Sequence, residues 1–130
     1  MNTLISLLLY ILMPAIVNSG GELIRISPKS ATVLEYSKDN GRSWYRRYSA
    51  SSSVGSFIDL LDIGTESLAI TTKGVYYSKD SGRSWYRRYA ANSSTGDFIN
   101  LTNAGSELLA TTSKGLYYSR DNGRSWYKRK

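Results

Sequence analysis

Residues Ser37–Trp44 read SKDNGRSW, Ser78–Trp85 read SKDSGRSW and Ser119–Trp126 read SRDNGRSW. One octapeptide therefore occurs three times, and its tryptophans, Trp44, Trp85 and Trp126, follow one another at the same 41-residue step, 44 to 85 and 85 to 126. A constant period near forty is the mark of propeller blades and other stacked arrays. The likeness runs beyond the octapeptide. FIDLLDIGTESLAITTKGVYYS (57–78) aligns without gaps on FINLTNAGSELLATTSKGLYYS (98–119), and IVNSGGELIRISPKSATVLEYS (16–37) is a weaker third copy. The units fall at about 16–55, 56–96 and 97–130.

Each full unit holds four short β-runs. In the second, residues 56–61 form an apolar run closed by Asp62-Ile63-Gly64, and residues 67–72 are rich in β-branched residues. Lys73-Gly74 reads as a two-residue turn, and residues 75–78 and 85–89 flank the octapeptide as a hairpin. The polar stretches SASSSVGS (49–56) and AANSSTGD (90–97) link the units. Four antiparallel strands at this period describe a propeller blade, so the expected fold class is all-β, with about three 41-residue blades.

The octapeptide has a physical role in such a hairpin. An aspartate in the turn accepts hydrogen bonds from backbone N–H groups just ahead, and a glycine two places later takes a positive φ that other residues resist. Ser37, Ser78 and Ser119 cap the turn through their hydroxyls, and Trp44, Trp85 and Trp126 return a large apolar face to the sheet. The pattern S-x-D-x-G-x-S-W resembles the Asp-box of the BNR repeat, found in sialidases, sortilin-type receptor domains and photosystem assembly factors. Serine stands before the tryptophan here, where that family usually has threonine. The resemblance covers roughly residues 16–130. It implies that Asp39, Asp80 and Asp121, with Gly41, Gly82 and Gly123, are folding devices rather than catalytic groups. One carboxylate per loop is a poor calcium site, so no metal and no cofactor is expected.

Sialidases resemble this chain in their boxes but also carry an arginine triad, a tyrosine with a glutamate partner, and an aspartate. Here Ile24-Arg25-Ile26-Ser27-Pro28 only faintly resembles their arginine-isoleucine-proline motif, with a serine inserted. Glu66 and Glu107 sit at equivalent turn positions, where solvation suffices to explain them. The chain has no histidine and no cysteine, which removes the commonest general base, the commonest metal ligand and any disulfide framework. A binding or scaffold protein is thus the leading expectation, and a sialidase-like glycosidase fragment the alternative.

The formal charge is +7, and most of the surplus lies in RSWYRRY (42–48), RSWYRRY (83–89) and RSWYKRK (124–130). The pairs Arg46-Arg47, Arg87-Arg88 and Lys128-Arg129 are candidate anion contacts, suited to an anionic glycan or a protein ligand. The competing reading is a solvated sheet edge. Strand alternation would put Tyr86 and Arg88 on one face and Trp85, Arg87 and Tyr89 on the other. Nucleic acid is disfavoured, because no helical reader or RNA-binding signature is visible.

The start of the chain, MNTLISLLLYILMPAIVNSGG, is apolar from Leu4 to Val17 except at Ser6 and Pro14. It is too short for a membrane span. Residues 1–19 read as a signal peptide, which would make the protein secreted or extracytoplasmic; otherwise Ala15–Asn18 is the first strand of a degenerate blade and a cytoplasmic location stands. Because propellers need about four to eight blades, three copies are expected to be completed by association, as a homo-oligomer.

Overall fold

The computed structural model describes residues 15–130, folded as twelve strands and no helix. The first blade comprises β1 (Ile16–Ser19), β2 (Glu22–Ile26), β3 (Val33–Ser37) and β4 (Tyr45–Ser49). The second comprises β5 (Phe57–Asp62), β6 (Ser67–Thr71), β7 (Gly74–Ser78) and β8 (Tyr86–Ala90). The third comprises β9 (Phe98–Asn103), β10 (Leu108–Thr112), β11 (Gly115–Ser119) and β12 (Tyr127–Lys128). Each blade is a separate antiparallel meander in sequence order. The inner strands β1, β5 and β9 lie side by side, and the Asp59 carboxylate on β5 accepts the Leu101 N–H of β9 at 2.9 Å. Burial raises the Asp59 carboxyl above its ordinary value, and its hydrogen bonds from Leu101 and Leu60 only partly offset this.

The expected strands are present to within about a residue, with one informative difference. The turn before β7 is Thr72-Lys73, and Gly74 is already in the ladder, paired with Thr71. The reading of residues 1–19 as a leader lies mostly outside the described residues, but Ile16–Ser19 form β1, paired with β2.

Why the blades stack follows from the alternation of side chains. On β6 and β7, Leu68, Ile70 and Val75 face the third blade, while Ala69 and Tyr76 face the first. Two apolar layers result. One joins Ile24, Ile26 and Leu34 of the first blade to Phe57, Leu60, Ala69, Tyr76 and Trp85 of the second. The other joins Leu68, Ile70 and Val75 to Phe98, Leu101, Leu108, Ala110, Tyr117 and Trp126 of the third. Aromatic rings cross each boundary edge to face. Tyr48 meets Phe57 and Phe57 meets Trp85, with centroids 6.0 and 5.8 Å apart; Tyr89, Phe98 and Trp126 repeat the arrangement at 6.0 and 5.4 Å. Burying one such ring contributes about 1.5–3 kcal/mol, so these positions dominate the interfaces. The linkers are stapled too: Tyr76 Oη donates to Ser53 O at 3.0 Å and Tyr117 Oη to Ser94 O at 2.8 Å.

The first blade departs from the ungapped alignment. Leu23 pairs with Ser37 as Ser67 pairs with Ser78, so Glu22, not Arg25, corresponds to Glu66. The cause is local: the first blade turns tightly through Gly20-Gly21 and then spends residues 27–32 on its second connection, where the second blade spends only Thr72-Lys73.

Candidate anion-binding groove and the Asp-box turns

The three octapeptides form one turn, repeated almost atom for atom. Ser78 Oγ donates to Asp80 Oδ1 at 2.8 Å and accepts the Gly82 N–H at 2.9 Å. Asp80 Oδ1 also accepts the Ser84 N–H at 2.8 Å, and Trp85 Nε1 donates back to Gly82 O at 2.9 Å. Ser37, Asp39 and Trp44 do the same in the first turn, and Ser119, Asp121 and Trp126 in the third. Two successive residues are left-handed in each: Asn40, Ser81 and Asn122 near φ 60°, then the glycine. The sequence reading assigned that conformation to the glycine alone.

Hydrogen bonding sets the carboxylates. The Ser43 N–H holds Asp39 below its ordinary range. Burial pushes Asp80 and Asp121 upward, but the bonds from Ser78 and Ser84, and from Ser125 and Ser119, outweigh it and leave both lowered. With every turn aspartate committed in this way, Asp80→Ala is expected to lower stability by about 1–2 kcal/mol in urea unfolding, while leaving ligand binding intact. Unchanged stability with lost binding would refute the structural role.

The first two basic pairs, Arg46-Arg47 and Arg87-Arg88, are split by a β-bulge. On β7 and β8, Val75 pairs with Tyr89 and Tyr76 with Arg87, so Arg88 is the extra residue. Simple alternation therefore fails: Tyr86 pairs with Tyr77 and shares its face with Tyr89, and Arg87 lies on the other side. Arg88 packs its guanidinium 4.1 Å over the Tyr77 ring, and binds Glu66 through both Nη atoms, Nη2 to Oε1 at 3.0 Å. Its Nη1 also donates to Asn122 O, in the next blade's turn, at 3.1 Å. Arg47 repeats this over Tyr36, with Glu22 at 2.8 Å and Ser81 O at 2.8 Å. Arg129 stacks over Tyr118 and pairs with Glu107. Hydrogen bonding by the arginine holds each glutamate below its ordinary value.

Glu66 is buried, so solvation does not explain it. It and Glu22 are parts of an interblade clamp that the sequence reading missed. The signal was present in Glu66 and Glu107 standing 22 residues before Arg88 and Arg129, but the shifted first copy hid Glu22.

Arg46, Arg87 and Lys128 remain exposed, one per blade. Arg87 opens into a groove of about 510 Å³ beside the linker between the second and third blades, also lined by Lys73, Lys114, Asn92 and Asp97. The structure thus brings to Arg87 two lysines, each from a strand-connecting turn, that sequence reasoning did not single out. Asn92 Oδ1 holds the groove wall by accepting the Ser94 and Thr95 N–H groups at 2.8 and 3.0 Å. Among the described residues, no three carboxylates gather closely enough to hold a metal ion, and no helix is long and apolar enough to cross a membrane.

Comparison with known proteins agrees with this geometry. Residues 117–128 match the BNR/Asp-box repeat model. No curated protein matches the chain. Among solved structures, it is similar to YCF48 bound to D1 peptide, with a TM-score of 0.69 and 18% identity over 88% of this chain. It is also similar to YCF48 from Cyanidioschyzon merolae, with a TM-score of 0.62 and 21% identity over 86% of this chain. In both cases the match spans 39% of the other chain's length. Three serine-capped turns in register, each fixing the outer hairpin of a four-stranded antiparallel sheet, give this chain propeller-type blades, the last of which carries the stretch similar to the BNR/Asp-box repeat.

Proposed function

We propose that the chain is a non-catalytic scaffold that binds an acidic protein segment in the groove beside Arg87. The observation that carries this is the convergence of Lys73, Arg87 and Lys114 on one groove that holds a single carboxylate, Asp97. A protein of this fold takes a peptide ligand in YCF48 bound to D1 peptide, which supports the reading by likeness of fold. The state of the carboxylates supports the non-catalytic half. All four glutamates are ion-paired with arginine, three of the six aspartates fix turns, and Asp59 bonds the neighbouring strand. Arg25, the residue in the broken arginine-isoleucine-proline motif, pairs with Glu35 at 2.8 Å and stacks 4.1 Å from the Trp44 ring.

An oligoglutamate peptide, followed by fluorescence anisotropy, tests this. Replacing Lys73, Arg87 and Lys114 together by serine should weaken binding roughly tenfold, since each exposed charge contact is worth about 0.2–1 kcal/mol. Affinity should fall with added salt, because such contacts are screened over about 8–10 Å. Arg42→Ser and Arg83→Ser, on the Asp-box edge, should change little. Salt-insensitive binding, or equal loss from both sets, overturns the assignment. An anionic glycan is the second reading, favoured by the +7 charge, and heparin in place of the peptide separates the two. Turnover of a sialoside would instead favour the hydrolase reading. An extracytoplasmic location is part of the proposal on the strength of the apolar run from Leu4 to Val17, without cleavage after Ser19, because Ile16–Ser19 form β1; detection of the chain only inside the producing cell would refute it.

A further inference from the structure

We infer that the groove beside Arg87 is one stretch of a longer basic track, and that the acidic protein segment proposed above runs along it in extended form across successive blades. The inference rests on the proposed function and adds the length and course of the partner.

A device repeated in every blade supplies the first cations. The connections β2–β3, β6–β7 and β10–β11 each carry one lysine, whose N–H donates to a hydroxyl two residues earlier: Lys29 to Ser27 Oγ at 3.2 Å, Lys73 to Thr71 Oγ1 at 3.0 Å and Lys114 to Thr112 Oγ1 at 3.0 Å. The longer first connection, residues 27–32, hides this match in the sequence. Each outer strand adds a second cation. Arg46 stands opposite Glu35 as Arg87 stands opposite Tyr76 and Lys128 opposite Tyr117. All six side chains belong to exposed residues.

A hydrogen-bonded ribbon fixes how these cations are spaced. The Ala50 N–H donates to Thr32 O at 2.8 Å where the first linker leaves the first blade, and the Thr72 N–H donates to Ser56 O at 3.0 Å where that linker meets the second. The second linker repeats both bonds, Ala91 N–H to Lys73 O at 3.0 Å and Ser113 N–H to Asp97 O at 2.9 Å. The lysine stems lie against the linkers: a β-carbon on Gly55 would stand 3.0 Å from Lys73 Cγ, and one on Gly96 2.6 Å from Lys114 Cγ. Turn, linker and turn thus form one continuous surface that a partner need not order on binding. It lies at the strand ends opposite the Asp-box turns, clear of the layers through which blade packs on blade.

Charge is sorted between the two sides. Lys29, Arg46, Lys73, Arg87, Lys114 and Lys128 share the linker side with one carboxylate, Asp97, so five of the seven net positive charges belong to it. Among the described residues, none of the six is ion-paired or stacked on a ring. Arg47, Arg88 and Arg129, by contrast, are tied to glutamates. Free cations repeated blade by blade suit one partner whose anions also recur. Because stacked sheets lie about 10 Å apart and an extended chain rises about 3.3 Å per residue, such a segment crosses a blade in about three residues and meets all three in about nine.

Fluorescently labelled tetraglutamate and dodecaglutamate, titrated with the full chain, test this. Lys29→Ser, Arg46→Ser and Lys128→Ser lie outside the Arg87 groove; together they should weaken dodecaglutamate binding about tenfold and leave tetraglutamate unchanged. The charge-keeping set Lys29→Arg, Arg46→Lys and Lys128→Arg should bind both peptides as the parent does. Arg42→Ser with Arg83→Ser should alter neither. Should the serine variant shift the thermal melt, glutamine at the same three positions replaces it. Dodecaglutamate binding that survives the triple variant overturns the track while leaving the groove reading in place. Equal weakening of the two peptides, or equal loss from Arg42→Ser with Arg83→Ser, also overturns it, since either would mean general charge attraction. Failure of both peptides to bind the parent removes the groove reading and the track with it.

Discussion

Replacing Arg88 by alanine is expected to destabilise the chain by about 3–5 kcal/mol, because it removes one member of a buried ion pair and leaves the other uncompensated. The side chains of Arg88 and Glu66 are only 4% and 6% exposed, so little solvent is available to replace the lost partner. The stack on Tyr77 and the bond to Asn122 O go as well, which should loosen the boundary between the second and third blades. Urea unfolding measures the loss, and Arg129→Ala, at the more exposed end of the series, should lose far less. Glu66→Leu combined with Arg88→Met removes both charges and should recover much of the stability, since apolar replacement of a buried pair is often close to neutral.

The pH dependence has a definite sign. Arg88 holds the folded-state Glu66 below its ordinary 4.5, so the pair's contribution is fully present above that value and is lost as pH falls through the lower, folded one. In Arg88→Ala, Glu66 is buried without a partner and protonates more readily. The gap between the variant and the parent should therefore be widest at neutral pH and narrow below about pH 4.5. A constant gap across that range would show that lost packing, not charge, dominates.

The fold was legible because the octapeptide is a local device: a serine, an aspartate and a glycine close one turn with bonds that span no more than four residues. A 41-residue repeat of such a device fixes the blade, and period-2 alternation on β6 and β7 fixes which side chains join each apolar layer. The split of the basic pairs was hidden because it depends on a bulge, and nothing local in YRRY marks which arginine becomes the extra residue. Glu66 was misjudged for a related reason. Its partner lies 22 residues away and meets it only when β6, β7 and β8 are assembled, so a turn glutamate and a clamped one look alike in sequence. Lys73 and Lys114 likewise reach Arg87 only through the placement of the linker between blades.

Gly74→Ala is expected to be at least as damaging as Arg88→Ala, and for a backbone reason. Gly74 opens β7 at φ 139°, a region essentially confined to glycine that costs about 1–3 kcal/mol for a side chain to occupy. A β-carbon there would stand 2.0 Å from Tyr89 O and 2.8 Å from Ala91 N, both backbone atoms of the outer strand and its continuation. No rotamer relieves such a contact, so β8 must move away from β7, and Tyr89 moves with it from its edge contact with Phe98. Strain and lost packing together should exceed about 4 kcal/mol, in the range reserved for disrupted cores and forbidden backbone geometry. The third blade supplies an internal control. Gly115 has a similar φ of 134°, but its β-carbon would meet only Lys128 Cε, at 3.1 Å, on a side chain free to swing aside. Gly115→Ala should therefore cost the conformational strain alone, about 1–3 kcal/mol. Thermal or urea unfolding of the two variants side by side decides the matter: equal losses would mean that φ governs both positions, and a much larger loss at Gly74 would show that the approach of β8 is what requires glycine there.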